Sequence, residues 1–149
     1  ASEPTPNDLN EIIQETLILF MEAHKNVRFE FAPRDLPVFS IDRDQMKRVM
    51  INLIKNSLSA IDGEGEIKIQ TGYDPNLQVV RLEFSDNGCG IPDEDKGRLF
   101  EPYFSTRRTG TGLGLTIVNA IIADHNGYIR VRDNQPRGTT FQIELPIRV

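Results

Sequence analysis

Between Ser85 and Leu115 the chain carries two glycine clusters, Asp86-Asn-Gly-Cys-Gly90 and Gly110-Thr-Gly-Leu-Gly-Leu115, with an aromatic and basic segment between them. Glycine lets backbone take positive φ and come close to a ligand. The first cluster follows an alternating strand pattern and the second opens a helical one, so each sits where regular structure ends or begins. A helix start this rich in glycine gives up roughly 0.5–1 kcal/mol per interior Gly relative to Ala. Bringing backbone N–H groups against an anion is a reason to accept that cost. With Arg107 and Arg108 bracketed by the clusters, the stretch predicts a polyphosphate cradle.

The rest of the chain reads as a scaffold for that cradle. Thr5-Pro6-Asn7-Asp8 resembles a helix start, and Leu9, Ile12, Ile13, Thr16, Leu17 and Phe20 follow as one apolar stripe. Val27, Phe29 and Phe31 alternate with Arg28 and Glu30, which predicts a half-buried strand. Asp42 and Gln45 form a capping box before a second helix, whose stripe runs through Met46, Val49, Met50, Leu53, Ile54, Ser57 and Ile61. Asn52, Asn56 and Ser59 lie together on a strip beside that stripe; asparagine favours caps over helix interiors, so two at i and i+4 call for a reason. Ile67 to Tyr73 and Val80 to Phe84 predict a hairpin that ends at Asp86. A third helix is expected over Gly112 to Asp124, then strands over Gly127 to Arg132 and Thr139 to Ile147. The fold class expected is an α/β two-layer sandwich, a mixed, largely antiparallel sheet of about five strands covered on one face by three helices.

Composition narrows the partners. Lys and Arg number 17 against 22 Asp and Glu, a net charge of −5 with no basic run, which argues against nucleic acid and anionic membrane. A single cysteine, Cys89, excludes an internal disulfide framework and fits a reducing compartment. At 149 residues a single domain is expected, burying about 68–70% of its unfolded surface.

Taken in order, Asn52-Leu-Ile-Lys-Asn56, Asp86-Asn-Gly-Cys-Gly90-Ile91, Leu99-Phe-Glu-Pro-Tyr-Phe104, Gly110 to Leu115 and Gly138-Thr-Thr-Phe141 resemble the N, first glycine, F and second glycine boxes and the closing glycine-threonine signal of one family. It is the catalytic and ATP-binding domain of bacterial two-component sensor histidine kinases, within the GHKL superfamily and its Bergerat-type fold. The resemblance covers essentially everything from Leu9 onward. It implies ATP and Mg2+ as ligands, with Asp86 accepting a hydrogen bond from the adenine amino group and Asn56 offering its side-chain oxygen to the metal, a hard cation that prefers oxygen. Asn52 would support metal or phosphates, and Gly88, Gly90, Ile91, Gly110, Thr111, Gly112, Leu113, Gly114 and Leu115 would line the nucleotide. Thr139 would reach the adenine edge, and Thr106 would line the site from the loop. Arg107 would meet the γ-phosphate through its planar fork.

Two positions depart from the pattern. Many family members carry Lys and an aromatic where Ser59 and Ala60 stand here, which raises the weight on Arg107 and makes Tyr103 or Phe104 candidate stacking rings. The short loop from Phe104-Ser-Thr-Arg107 into the second glycine box looks most like the nitrogen-regulation type of sensor kinase. Sibling ATPases place a water-activating glutamate where Asn52 stands, and an amide is no general base. The resemblance therefore implies a kinase that donates the γ-phosphate to a histidine elsewhere. A GHKL-type ATPase and a module that binds nucleotide or a partner without transfer are the alternatives. His24 and His125 read as ordinary helix-end histidines rather than acceptors. Residues 1–6 are expected to be a linker remnant from an upstream dimerisation and phosphoacceptor domain, and 7–149 the catalytic domain. Expected partners are that domain and a response-regulator receiver domain. The fragment is expected to be monomeric and the full-length kinase homodimeric, with this domain cytoplasmic and the whole protein either membrane-anchored or soluble.

Overall fold

A computed structural model of the chain describes residues 3–102, 104 and 113–147. In chain order its elements are β1 (Thr5–Asn7), α1 (Leu9–Ala23), β2 (Val27–Ala32), β3 (Phe39–Ile41), α2 (Arg43–Ala60), β4 (Gly65–Asp74), β5 (Val79–Asp86), the single-turn α3 (Asp93–Lys96), α4 (Gly114–Asp124), β6 (Tyr128–Asp133) and β7 (Thr139–Pro146). Five strands form one sheet in the order β2-β4-β5-β7-β6. Only β2 and β4 run parallel, because β3 and α2 carry the chain back between them; the other pairs are antiparallel.

Alternation in the sequence decides which face of this sheet is covered. Val80, Leu82, Phe84 and Asp86 of β5 point inward, and their neighbours in between do not. On β7 the inward row is Thr139, Phe141, Ile143 and Leu145. Phe84 and Phe141 stand opposite one another, both fully buried, and each contributes about 1.5–3 kcal/mol by leaving water. The apolar stripes of α1, α2 and α4 cover that row, with α2 packed between the other two. The opposite face keeps Lys68, Gln70, Glu83 and Ser85 in contact with solvent, as one-sided antiparallel sheets do.

Two helix junctions set how α2 lies over the sheet. Asp42 caps α2 by accepting from the Gln45 amide at 3.0 Å, and its other oxygen accepts from the Glu3 amide at 2.7 Å. Those amides, Glu3's first and then Gln45's, hold its carboxyl below the usual carboxylate range. His125, which ends α4, was expected to be an ordinary helix-end residue but is buried at this junction. Its Nδ1 lies 2.8 Å from the Ile121 carbonyl and its Nε2 accepts from the Asp42 amide at 3.0 Å, which selects the neutral tautomer protonated on Nδ1. His24 closes α1 and stacks on Phe20.

The beginning of the chain differs from expectation. Thr5 and Pro6, read as part of a helix start, lie in β1 and pair with Ile41 and Ser40 of β3 in a separate two-stranded sheet. The helix starts one step later, where Asp8 accepts from the Asn10 amide at 3.0 Å. α4 begins at Gly114 within the described residues, and the predicted start at Gly112 lies outside them. No helix among the described residues is long and apolar enough to cross a membrane.

Candidate functional site

The inward row of β5 ends in a carboxylate. Asp86 is 2% exposed and occupies the next position after Phe84 on the face turned toward the helices. A buried carboxylate is costly unless its oxygens find donors. Two are supplied: the Ser57 hydroxyl of α2 donates to Oδ2 at 2.7 Å, and the Gly88 amide donates to Oδ1 at 2.9 Å. No ion pair reaches Asp86 among the described residues, so about half of its acceptor capacity is left for a donor from outside.

The turn after Asp86 is held from several sides. The Cys89 amide donates to the Ala60 carbonyl at the end of α2, at 2.9 Å. That approach explains Gly88, since a Cβ there would lie 2.6 Å from the same carbonyl oxygen. Its glycine is thus required by the scaffold, quite apart from any ligand. Gly138 is equally constrained: φ is +108° and a Cβ would come 1.9 Å from the Asp86 carbonyl oxygen. Asn134 Nδ2 donates to that same carbonyl and Arg137 Nε to the Gly88 carbonyl, at 2.8 and 2.9 Å. Downstream, Ile91 is buried and its carbonyl accepts from Lys96 Nζ at 2.9 Å. Asp93 and then Asp133 raise the Lys96 pKa, and the lysine lowers that of Asp93.

Asn52 and Asn56 share one side of α2, as i and i+4 must. Asn52 Nδ2 donates to the Arg48 carbonyl at 2.8 Å, and its Oδ1 lies against the first turn of α4, where a Cβ on Gly114 would be 3.1 Å away. The fold therefore brings Asn52 and Gly114, the described glycine of the second cluster, together. Leu113 caps α4 and Leu115 is half-buried against the core. Ser59 is exposed, with its hydroxyl bonded to the Asn56 carbonyl. Phe104 carries the Arg98 guanidinium 4.5 Å from its ring centroid and packs on the core, so one ring face is already covered. Tyr103, Thr106, Arg107, Gly110, Thr111 and Gly112 lie outside the described residues.

Thr139 begins β7, next to the Thr140 that pairs with Ser85. It is 2% exposed and its hydroxyl has no partner among the described residues. A buried hydroxyl without a partner is a group that a ligand atom or a bridging water could satisfy. A metal finds a different setting. Among the described residues no group of three His, Cys, Asp or Glu could hold a metal, and Asn52 and Asn56 carry amide oxygens on α2. That set suits an ion carried mainly by phosphates and water. The open sheet face bears a cavity of about 410 Å3 lined by Lys68, Glu83, Ser85 and Arg132 among others, but those side chains bond one another, Arg132 to Glu83 at 2.9 Å and Ser85 to Thr140 at 2.8 Å.

Sequence reasoning missed Ser57, Asn134 and Arg137. Ser57 was legible only as a polar residue inside an otherwise apolar stripe; the other two sit in a loop that reads as a simple turn.

The sequence model of the family described as histidine kinase-, DNA gyrase B-, and HSP90-like ATPase matches residues 41–149. The signal transduction histidine-protein kinase AtoS of Escherichia coli is 38% identical over 143 residues, covering 93% of this chain and 23% of AtoS. The sensory histidine kinase/phosphatase NtrB of Rhodobacter capsulatus is 39% identical over 136 residues, covering 84% of this chain and 38% of NtrB. The chain thus spans less than half the length of either relative. The solved catalytic domain of the histidine kinase ThkA matches with a TM-score of 0.88 at 37% identity, over 97% of this chain and 96% of that one. ThkA in complex with the response regulator TrrA matches at 0.83 and 34%, over 97% of this chain and 42% of that one.

Proposed function

This chain belongs to the histidine kinase-, DNA gyrase B- and HSP90-like ATPase family, and on that premise we propose that it is the donor half of a protein-histidine kinase. It binds ATP with Mg2+ and presents the γ-phosphate to a histidine on a separate dimerisation domain. The observation that carries the kinase reading is Asn52. It stands one turn before Asn56, beside the start of α4, with its amide bonded to Arg48. An amide takes no proton from water at neutral pH, so the domain lacks the base a hydrolase needs there. Neither histidine suits an acceptor: His125 is buried with both ring nitrogens engaged, and His24 closes α1 against Phe20.

Phosphoryl transfer asks mainly for positioning and charge stabilisation. Asp86, fixed by Ser57 and Gly88, accepts from the adenine amino group, and Thr139 meets the ring edge directly or through water. Asn56 would give an amide oxygen to Mg2+, which when bound would supply positive charge against the phosphates. Asn52 and the N–H groups opening α4 steady the phosphate chain, and Arg107 attends the γ-phosphate. The domain works in the cytoplasm, where ATP is supplied. The ThkA–TrrA complex supports a response-regulator receiver domain as the next partner.

The test mixes this chain with the dimerisation hairpin of its own full-length protein and γ-labelled ATP. Label on a hairpin histidine is expected. Steady phosphate release by the chain alone would favour the hydrolase reading, and ATP binding without transfer would favour a silent binder.

A further inference from the structure

Ser57 belongs to the buried stripe of α2, between Leu53 and Ala60, and is 0% exposed. A serine there gives up apolar contact that alanine or a larger residue would make, so its hydroxyl needs employment. It has one, the 2.7 Å bond to Asp86 Oδ2. We propose that Ser57 is a specificity-determining positioning residue, which locks the plane of the Asp86 carboxylate so that it reads the exocyclic amino group of adenine.

The geometry gives three reasons. First, a carboxylate held only through Oδ1 by the Gly88 amide can still turn about its terminal bond, where the torsional wells are broad. The second donor, arriving at the other oxygen from a different element, removes that freedom. Second, the two bonds come from different elements, one from α2 and one from the turn after β5, and each takes a different oxygen of the carboxylate. Third, Ser57 directly follows Asn56. One rigid helix therefore fixes both the base-reading carboxylate and the amide oxygen proposed for the metal. Nucleotides that satisfy both at once must match that spacing.

The inference rests on the ATP-binding reading, and the test separates the two. Dissociation constants for ATP and ITP, whose base carries a carbonyl in place of the amino group, are measured on the unaltered chain, Ser57→Ala and Asp86→Asn, with melting temperature as control. The unaltered chain should prefer ATP. Ser57→Ala should weaken ATP by about tenfold, the worth of one hydrogen bond to a charged group, and leave ITP nearly unchanged. The ATP-over-ITP preference then shrinks by roughly the same tenfold. Ser57→Cys, which puts a weaker donor on a somewhat larger atom, should fall between. In an Asp86→Asn background Ser57→Ala should add little, since the group it positions is gone. Equal weakening of both nucleotides, or a full tenfold loss without Asp86, would make Ser57 a packing residue and overturn the proposal. An unaltered chain that fails to distinguish ATP from ITP would bring down the base-reading role of Asp86, and this inference with it.

Discussion

The two ends of the site are built on different principles. At the end proposed to read the base, every participant is buried and tied to a different element: Asp86 on β5, Ser57 on α2, Thr139 on β7 and Gly88 on the intervening turn. At the end proposed for phosphate and metal, the described participants are half-buried amides on one side of α2, and Asn52 is bonded locally, to its own helix at Arg48. A buried, cross-linked carboxylate suits a contact that must discriminate, because an unpaired partner in a dry place costs the most. Amides near solvent suit a mobile, hydrated cargo whose charge is spread over phosphate oxygens and a cation.

The sharpest test of this contrast is Asp86→Asn. The amide can still bond Ser57 and Gly88, because a serine hydroxyl donates or accepts as needed. It can also turn an N–H2 toward the adenine amino group, setting donor against donor. ATP affinity should fall by about a hundredfold or more, with little change in melting temperature, as read by calorimetry on the same samples. Affinity within a few-fold of the unaltered chain would remove Asp86 from the base contact.

Next in size is an effect that should touch neither end. His125→Ala leaves the Asp42 amide unpaired at the α2–α4 junction, at a cost of about 2–3 kcal/mol. For a chain of this length that is a melting temperature lower by about 4–10 °C. Nucleotide affinity measured well below the transition should not change. A large loss of affinity would mean that the junction tunes the site, and the two ends would no longer be independent of the scaffold.

Asn56→Ala then separates the ends directly. Its ATP–Mg2+ affinity should drop by roughly tenfold, the worth of one contact to a charged group, while adenosine binds as before. Parallel titrations with the two ligands decide it. Equal losses would place Asn56 in the base contact or in the fold.

What was legible in the sequence follows the same division. Apolar period announced α1, α2 and α4, and alternation announced β4, β5 and β7, because burial on one face writes a pattern many residues long. β1 and β3 were illegible, as three-residue strands carry no period. The first glycine cluster marked the turn after Asp86, yet a Cβ on Gly88 would meet the Ala60 carbonyl, which requires glycine apart from any ligand. Ser57 and Asp86 lie 29 positions apart, and His125 and Asp42 lie 83 apart. Single hydrogen bonds over such separations leave no trace in local pattern, so the carboxylate was predicted and the residue that holds it was not.

The smallest expected effect has the most informative sign. Thr139 buries a hydroxyl that has no partner among the described residues, so the chain without nucleotide carries the cost of its desolvation. Thr139→Val keeps the shape and removes that cost. If the hydroxyl exists for the nucleotide, the variant should melt at the same temperature as the unaltered chain or a few degrees higher, by up to about 1 kcal/mol. ATP affinity should meanwhile fall by about three- to tenfold as the ring edge or its water loses a partner. Stability and binding then move in opposite directions. A hydroxyl serving only the fold would move them together, both downward, and the base end would lose one of its walls.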